Sequence, residues 1–337
     1  MRLIAALAAL WLVWSPVGPL SAQPASGSVL PGLQARAAAL PRLRSLLVSR
    51  RGELVAEYHA RGVRATTPAN IKSASKSLIA TLTGIALDRG LITSVRQPVA
   101  TWFPELRQDK DPRKARITIE DLLTMRAGLE STSGRNYGRW VQSPNWVRFA
   151  LSRPMVAAPG DQMQYSTGSS HVLSAILTRV SGVSTWQFAQ EALARPLGFT
   201  LAKWPQDPQG LYFGGNDMLL TPRQMVAVGE MWLKRGQVNG RQVVPAAWVD
   251  TSCVARTRSV FDSTREYGYG WWTQAFEGGT ACFAWGYGGQ YIMVFRDLDL
   301  VVTATSSTTV SEERRGHRRE LFDLIEQEIL QPIRSMR

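Results

Sequence analysis

The chain has 337 residues, of which 45% are hydrophobic and 19% are charged. This composition excludes a disordered chain and a membrane-embedded bundle, and the length suits one large domain or two smaller ones. The formal net charge is +13, but the basic residues are scattered and are not gathered into one run. Nucleic-acid-binding proteins usually concentrate basic charge in a stripe or arm, so we expect no nucleic acid partner.

Residues 1–22 have the organisation of a signal peptide. Arg2 is followed by an apolar stretch, Leu3 to Val17, and then by small residues that suit cleavage after Ala22. The stretch is interrupted by Pro16 and is shorter than the roughly 20 residues that a membrane-spanning helix needs. We therefore predict a periplasmic or secreted protein with no integral membrane span after cleavage. An uncleaved anchor is the alternative.

Residues 23–40 are rich in Pro, Gly, Ala and Ser, which predicts a flexible lead-in to one domain over 41–337. Two strands are predicted at the start of this domain, Leu46–Val48 and Leu54–Tyr58. The dipeptide Arg51-Gly52 between them is typical of a tight turn.

Helical patterns dominate the middle of the chain. Apolar residues recur at helical spacing from Ser73 to Gly90, and again from Val172 until Gly182. Thr118 and Asp121 have the spacing of a capping box at the start of a further helix. Thr221-Pro222 has the form of an N-cap followed by a proline in the first helical position.

After about residue 265 the pattern changes to short runs rich in aromatic and β-branched residues, which predict strands at Tyr269–Phe276, Cys282–Trp285, Tyr291–Phe295 and Leu300–Thr305. A final amphipathic helix is closed by Pro332. We predict a mixed α/β (α+β) fold, in which helices flank an antiparallel sheet built from both chain ends, about residues 41–70 and 265–337. An all-helical lobe, about residues 71–264, is inserted into it, with the site in the groove between them.

The two cysteines, Cys253 and Cys282, permit two interpretations. They form a disulfide in an oxidising compartment, or they are two separate buried thiols. A disulfide closing a loop of about 30 residues would contribute about 3–4 kcal/mol in the chain-entropy model.

Several kinds of catalytic site lack the residues they need. The three histidines are His59 in a predicted strand, His171 at a helix start, where we expect solvation or capping, and His317 on a charged helix face. There is also no G-x-S-x-G motif, so a Ser-His-Asp triad is poorly supported. No Cys/His set has metal-site spacing and no glycine-rich phosphate loop occurs, so we predict neither a metal nor a cofactor.

The segment Ser73-Ala74-Ser75-Lys76 is the best candidate for chemistry. A spacing of three on a helix puts Ser73 and Lys76 on one face, and the helix N-terminus favours negative charge on an attacking oxygen. Lysine becomes a base only when its pKa falls well below about 10.4, which burial can achieve. The alternative is a helix start in which Ser73 caps and Lys76 is solvated, because S-x-x-K alone is a common pattern.

Four motifs follow one another in the chain. The S-A-S-K helix comes after two strands, and it is followed by Ile117–Leu129, by Tyr165-Ser166-Thr167-Gly168 and by Gly286-Tyr287-Gly288-Gly289-Gln290. In order and separation these motifs resemble the serine β-lactamase-like family, over roughly Leu43 to Leu330. That family includes class C β-lactamases, penicillin-binding D,D-peptidases, related esterases and 6-aminohexanoate-dimer hydrolases.

The resemblance implies a role for each matching residue. Ser73 would be the acylated nucleophile, and Lys76 and Tyr165 would transfer its proton. The backbone N–H groups of Ser73 and Gln290 would form the oxyanion hole. The implied activity is hydrolysis of an ester or amide bond in a small or peptide-like substrate. An inactive relative that binds peptidoglycan fragments or a partner is the alternative, and the oligomeric state is not predicted.

Two departures from the family pattern concern the substrate. Thr167 stands where an Asn would grip the acyl group, and Tyr287 and Gly288 stand where Lys and Thr would hold a β-lactam carboxylate. Losing a buried charged hydrogen bond of that kind weakens binding by about 2–3 kcal/mol, so we predict weak or absent β-lactamase activity. The residues proposed to bind substrate are Thr167, Trp285, Tyr287, Gly288 and Gly289. Trp140 and Trp146 are further candidates for an apolar cleft, unless these aromatics are core or surface residues.

Overall fold

The computed structural model describes residues 30–336. The predicted signal peptide and residues 23–29 lie outside this range. The strands are β1 (Leu43–Arg50), β2 (Glu53–His59), β3 (Ala69–Asn70), β4 (Leu219–Leu220), β5 (Gln237–Val238), β6 (Arg241–Gln242), β7 (Thr257–Arg258), β8 (Arg265–Tyr267), β9 (Trp272–Phe276), β10 (Gly279–Gly286), β11 (Gln290–Phe295) and β12 (Leu300–Ser306). The helices are α1 (Leu33–Ala38), α2 (Ser75–Asp88), α3 (Ile119–Leu123), α4 (Tyr137–Val141), α5 (Trp146–Leu151), α6 (Thr167–Ser181), α7 (Thr185–Ala189), α8 (Pro222–Leu233), α9 (Ala246–Ser252), α10 (Arg314–Ile325) and α11 (Gln331–Ser335).

The main sheet joins the two ends of the described chain, as predicted. Its eight strands lie in the order β2-β1-β12-β11-β10-β9-β8-β7. Each neighbouring pair is antiparallel, and β1 pairs with β12 so that Val48 lies opposite Val302. The mixed α/β fold with a large antiparallel sheet is therefore confirmed.

The sheet is covered on both faces, and its central strands β11 and β12 are buried at every position. In β11, Ile292 and Val294 belong to the core shared with the helical lobe, whereas Met293 and Phe295 belong to the core beneath the terminal helices. Alternation along a strand sends successive side chains to opposite faces, which explains this division.

The predicted boundary between sheet and lobe is wrong at its C-terminal end. Helix α8 lies against the sheet, where a Cβ at Gly229 would overlap the side chain of Val301. Strand β7 also extends the sheet, although it lies within residues 71–264. Two-residue strands such as β7 are too short to show an alternating pattern, which is why the sequence did not indicate them.

The lead-in prediction is wrong for residues 30–40. Leu33 and Ala37 of helix α1 are fully buried against the terminal helices and the sheet, and Leu30, which precedes the helix, is buried in the same core. Leu33 and Ala37 are four residues apart and therefore lie on one apolar face of the helix. Pro332 also does not end the terminal helix. It lies in the first turn of α11, where a missing N–H group is tolerated.

Helix α2 lies at the centre of the lobe and packs against α6. The capping box of Thr118 with Asp121 is confirmed at the start of α3, and Gly182 ends α6 in a left-handed conformation. Cys253 and Cys282 form a disulfide with their Cα atoms 5.7 Å apart, which connects the end of α9 to β10. Between residues 30 and 336, no helix combines the length and apolar character of a membrane span.

Candidate active site

Ser73 lies in a short 3-10 turn, Lys72–Ala74, that leads directly into α2. Lys72 has a φ of 51°, a left-handed conformation that is unfavourable for a side chain with a Cβ. The Asn70 side chain accepts a hydrogen bond from the Lys72 backbone N–H at 2.9 Å, and the Lys72 ammonium pairs with Asp217 at 3.1 Å. These contacts hold the strained residue immediately before the predicted nucleophile.

Lys76 is buried next to Ser73, with only 3% of the residue exposed. Its ammonium donates to the Ser73 hydroxyl at 3.1 Å, to the Thr167 hydroxyl at 3.3 Å and to the carbonyl oxygen of Gly215 at 2.6 Å. Burial lowers the pKa of Lys76 from 10.5 to about 7, and the negative charge of Asp217 partly opposes this shift. A substantial fraction of Lys76 is therefore neutral near pH 7 and able to accept a proton.

Tyr165 is half-buried and lines the same cavity as Ser73. Burial raises the pKa of the Tyr165 phenol to about 12, although a hydrogen bond with Ser73 and the charge of Arg265 oppose the shift. The Lys76 nitrogen lies 5.1 Å from the centre of the tyrosine ring. At neutral pH the phenol therefore keeps its proton, so Lys76 is the better base and Tyr165 the better acid.

The loop before α4 fixes the segment that contains Tyr165. The Ser131 hydroxyl donates to the backbone oxygen of Tyr165 at 2.6 Å. Ser133 accepts from the Thr167 backbone N–H at 2.9 Å, and its hydroxyl is also 2.9 Å from that of Thr167. The Thr167 side chain, which the sequence suggested for substrate binding, is thus bonded to Lys76 and Ser133.

The turn between β10 and β11 lies beside the nucleophile. A Cβ at Gly286 would overlap the carbonyl oxygen of Ile71, so only glycine lets this strand approach the backbone that leads to Ser73. Gly289 has a φ of 110° and is packed against Ser306. The side chain of Gln290 donates to the Ser306 backbone oxygen at 2.7 Å, which anchors the first residue of β11.

A cavity of about 180 Å³ opens above Ser73, and its lining residues are Ser73, Tyr165, Phe261, Trp285 and Tyr287. Trp285 and Tyr287 therefore occupy the predicted cleft. Trp140 and Trp146 do not, because they are buried in the lobe core beside Phe213. A larger groove of about 770 Å³ in the lobe is lined by residues such as Phe103 and Arg148 and includes none of the predicted catalytic residues.

The three histidines are bonded to groups other than Ser73. His59 lies 2.7 Å from a Glu57 oxygen. His171 is fully buried and lies 3.0 Å from Asp207, so the expectation of a solvated or capping residue is wrong. His317 is also buried, and burial lowers its pKa to about 4, with the charge of Arg42 adding to the effect. Within residues 30–336 there is no cluster of three His, Cys, Asp or Glu residues suited to a metal ion.

Four residues of the site were not indicated by the sequence: Ser133, Gly215, Asp217 and Phe261. The segment Gly214-Gly215-Asn216-Asp217 predicts a turn from its composition, but composition does not say which side chain a turn will contact.

Comparison with known proteins adds an independent observation. A family model described as Beta-lactamase matches residues 44–326. The 6-aminohexanoate-dimer hydrolase of Paenarthrobacter ureafaciens is 26% identical over 300 residues, covering 81% of this chain and 74% of that protein.

Two solved structures illustrate the likeness of fold. EstCE1, a hydrolase with promiscuous acyltransferase activity, superposes with a TM-score of 0.72 and 17% identity, covering 88% of this chain and 97% of the other. The class C β-lactamase from Rhodobacter sphaeroides has a TM-score of 0.65 and 18% identity, covering 86% of this chain and 95% of the other.

Proposed function

This chain belongs to the β-lactamase family as a serine hydrolase, and we propose that it cleaves an ester or amide bond through an acyl–Ser73 intermediate. The observation that supports the proposal most directly is the 3.1 Å hydrogen bond from the Lys76 ammonium to the Ser73 hydroxyl. Burial lowers the pKa of this lysine to about 7, so the same contact serves for proton transfer from Ser73 to neutral Lys76.

Acylation begins when the Ser73 oxygen attacks the carbonyl carbon of the substrate and neutral Lys76 takes the hydroxyl proton. The backbone N–H groups of Ser73 and Gln290 stabilise the oxyanion that forms. When the bond to the leaving group breaks, Tyr165 donates its proton to the departing oxygen or nitrogen and regains one from Lys76. The products of this step are acyl-Ser73, a neutral alcohol or amine, and the starting forms of Lys76 and Tyr165.

Deacylation repeats these steps with water. A water molecule attacks the acyl carbon and gives one proton to Lys76, and the oxyanion hole again stabilises the negative oxygen. The carbon–oxygen bond to Ser73 then breaks, and the serine oxygen recovers the proton. The carboxylic acid product leaves, so the net reaction adds one water across the ester or amide bond.

The substrate is proposed to be less anionic than a β-lactam. Tyr287 and Gly288 provide no cationic side chain at the family's carboxylate-binding position, and the cavity wall is aromatic. The Paenarthrobacter relative is named as a hydrolase of the 6-aminohexanoate dimer, whose two units are joined by an amide bond, which supports an amide as one of the two bond types. Efficient hydrolysis of cephalosporins by the purified protein would contradict this part of the proposal.

The test of the proposal is active-site labelling combined with ester hydrolysis. A fluorophosphonate should modify the protein once, at Ser73, as located by peptide mass spectrometry. Ser73→Ala should abolish both the labelling and the hydrolysis of short-chain p-nitrophenyl esters. Ser152→Ala, which changes an exposed serine on the lobe surface, should leave both unchanged. Binding of ligands without turnover by the parent protein would favour the inactive-relative alternative.

We also propose that the protein is exported to the periplasm or secreted. The organisation of residues 1–22 supports this, and the Cys253–Cys282 disulfide is compatible with an oxidising compartment. Expression of the full chain in a bacterial host, followed by N-terminal sequencing of the periplasmic protein, should give a sequence that begins at Gln23. Recovery of an uncleaved chain in the cytoplasm would refute it.

A further inference from the structure

We propose that the aromatic wall next to Tyr165 is a leaving-group subsite for one apolar group about the size of a phenyl ring, and that Phe261 determines its selectivity. This inference rests on the proposed function, because that function defines which side of Ser73 receives the leaving group.

Phe261 is an exposed aromatic residue that lines the cavity above Ser73. It is 52% exposed, and its ring meets the ring of Tyr165 at 5.2 Å and that of Trp285 at 5.7 Å, nearly perpendicular in both cases. Leaving this much aromatic surface in water forgoes the free energy that burial would provide. An apolar ligand group in the cavity would cover the inner face of the ring.

The size of the cavity limits the ligand group. Its volume is about 180 Å³, and an apolar cavity of about 150 Å³ is sufficient to bind benzene. One aromatic ring, or an alkyl group of similar volume, therefore fits between Phe261, Trp285 and Tyr287.

The position of Tyr165 assigns the subsite to the leaving group. Tyr165 is the proposed proton donor to the departing atom, and its ring forms one wall of this cavity. The Lys76 ammonium also donates to the carbonyl oxygen of Gly215 and to the hydroxyl of Thr167, and neither of these residues lines this cavity. A group attached to the atom that receives the Tyr165 proton therefore points towards Phe261.

Hydrogen bonds to Asp262, the residue after Phe261, hold the loop that contains Phe261 in place. The Asp262 carboxylate accepts hydrogen bonds from Arg265 Nε at 2.9 Å, from Arg318 at 2.9 Å and from the Thr264 hydroxyl at 2.8 Å. Burial would raise the pKa of Asp262, but these hydrogen bonds hold it well below its usual range. Arg265 itself is 1% exposed, and its guanidinium lies 4.2 Å from the ring centre of Trp285. The wall is therefore preorganised.

Two pairs of esters test the assignment. Benzyl acetate and ethyl acetate differ in the leaving alcohol, whereas ethyl phenylacetate and ethyl acetate differ in the acyl group. We expect the parent to prefer benzyl over ethyl acetate in kcat/KM. Phe261→Ala should lower that preference roughly three- to tenfold, the range expected for losing one aromatic contact, and leave the acyl-group ratio unchanged. Phe261→Leu should give an intermediate value. The matched control is Val260→Ala, an exposed apolar neighbour outside the cavity lining, which should change neither ratio.

A binding measurement separates this inference from the proposed function. Benzyl alcohol should bind the Ser73→Ala protein in isothermal titration calorimetry, and adding Phe261→Ala should weaken that binding three- to tenfold. If no ester is hydrolysed but this loss of binding is seen, the proposed function fails and the subsite stands. If esters are hydrolysed but Phe261→Ala changes neither the benzyl preference nor benzyl alcohol binding, the subsite is refuted and the function stands. A change confined to the acyl-group ratio would overturn the leaving-group assignment.

Discussion

The burial of Lys76 should destabilise the folded protein at neutral pH, and Lys76→Met should relieve this effect. Burial lowers the pKa of Lys76 from 10.5 to about 7, so the unfolded chain binds this proton more tightly than the folded protein does. A lysine shifted in this direction reduces stability fully below its folded-state pKa, and the effect vanishes as the pH rises above the unfolded-state value. The destabilisation is therefore complete below about pH 7 and is lost between about pH 7 and 10.5.

The size of the effect follows from the two pKa values. At about 1.4 kcal/mol per pKa unit, the difference between 10.5 and about 7 amounts to about 4–5 kcal/mol near pH 7. By pH 9.5 it falls to about 1–2 kcal/mol. Met has a similar volume and no charge, but the carbonyl oxygen of Gly215 then loses a buried partner, which costs about 1–3 kcal/mol. We expect Lys76→Met to be about 1–4 kcal/mol more stable than the parent at pH 7, and this difference should fall by about 3 kcal/mol at pH 9.5.

Urea unfolding followed by tryptophan fluorescence would measure these free energies at both pH values, with the disulfide intact. The matched control is Lys234→Met, because the Lys234 side chain is 56% exposed and its ammonium lies 3.5 Å from the Glu230 carboxylate. That substitution should change the free energy of unfolding by less than about 1 kcal/mol at either pH. If the stability difference between Lys76→Met and the parent is the same at pH 7 and pH 9.5, the lowered pKa of Lys76 is refuted, and with it the reasoning that makes Lys76 the base.

Three further predictions concern the chemistry and the disulfide. The kcat/KM for an ester should rise with pH through an apparent pKa near 7 as Lys76 loses its proton. Lys76→Arg, which keeps the positive charge, should abolish turnover. A kcat/KM that does not change between pH 5 and 8 would contradict this prediction. Tyr165→Phe should lower kcat for ethyl esters by a factor of about 10²–10⁴. The loss should be smaller for p-nitrophenyl esters, because their leaving group needs no proton. Equal losses of kcat for the two kinds of ester would exclude Tyr165 as the acid. Replacing both Cys253 and Cys282 by Ala should lower the free energy of unfolding by about 3–4 kcal/mol. A reducing agent should have the same effect on the parent protein. Unchanged urea midpoints would show that the disulfide does not stabilise the fold.

The local part of the site could be predicted from the sequence because short-range geometry determines it. A serine and a lysine three residues apart at a helix start lie on one face, so their spacing permits the contact of Ser73 with Lys76 that the structure has. The cap at Thr118 follows from the same kind of rule. The wider constellation with Tyr165 was inferred from the order of motifs, since spacing alone cannot bring residues so far apart together.

The sequence-based predictions of burial and exposure are wrong where the surrounding elements, and not the residue pattern of the segment itself, decide whether a side chain is buried. His171 and His317 occur in polar stretches of sequence, yet both are buried because neighbouring elements cover them. Leu30 and Leu33 lie in a stretch of loop-like composition, and they are buried because the terminal helices complete a core around them. Trp140 and Trp146 have the chemistry of a cleft wall but face the interior of the lobe.

By itself, the sequence determined the family-type motifs, the strand and helix segments and the placing of Ser73 and Lys76 on one helix face, because periodicity and spacing are properties of neighbouring residues. The tertiary structure alone decided whether Lys76 can act as a base. Its lowered pKa depends on burial, and one of the groups that enclose it is the carbonyl oxygen of Gly215, 139 residues away in the chain. The desolvation of an ionisable group depends on all the residues that pack around it, including residues distant in sequence. A local sequence pattern therefore does not predict it.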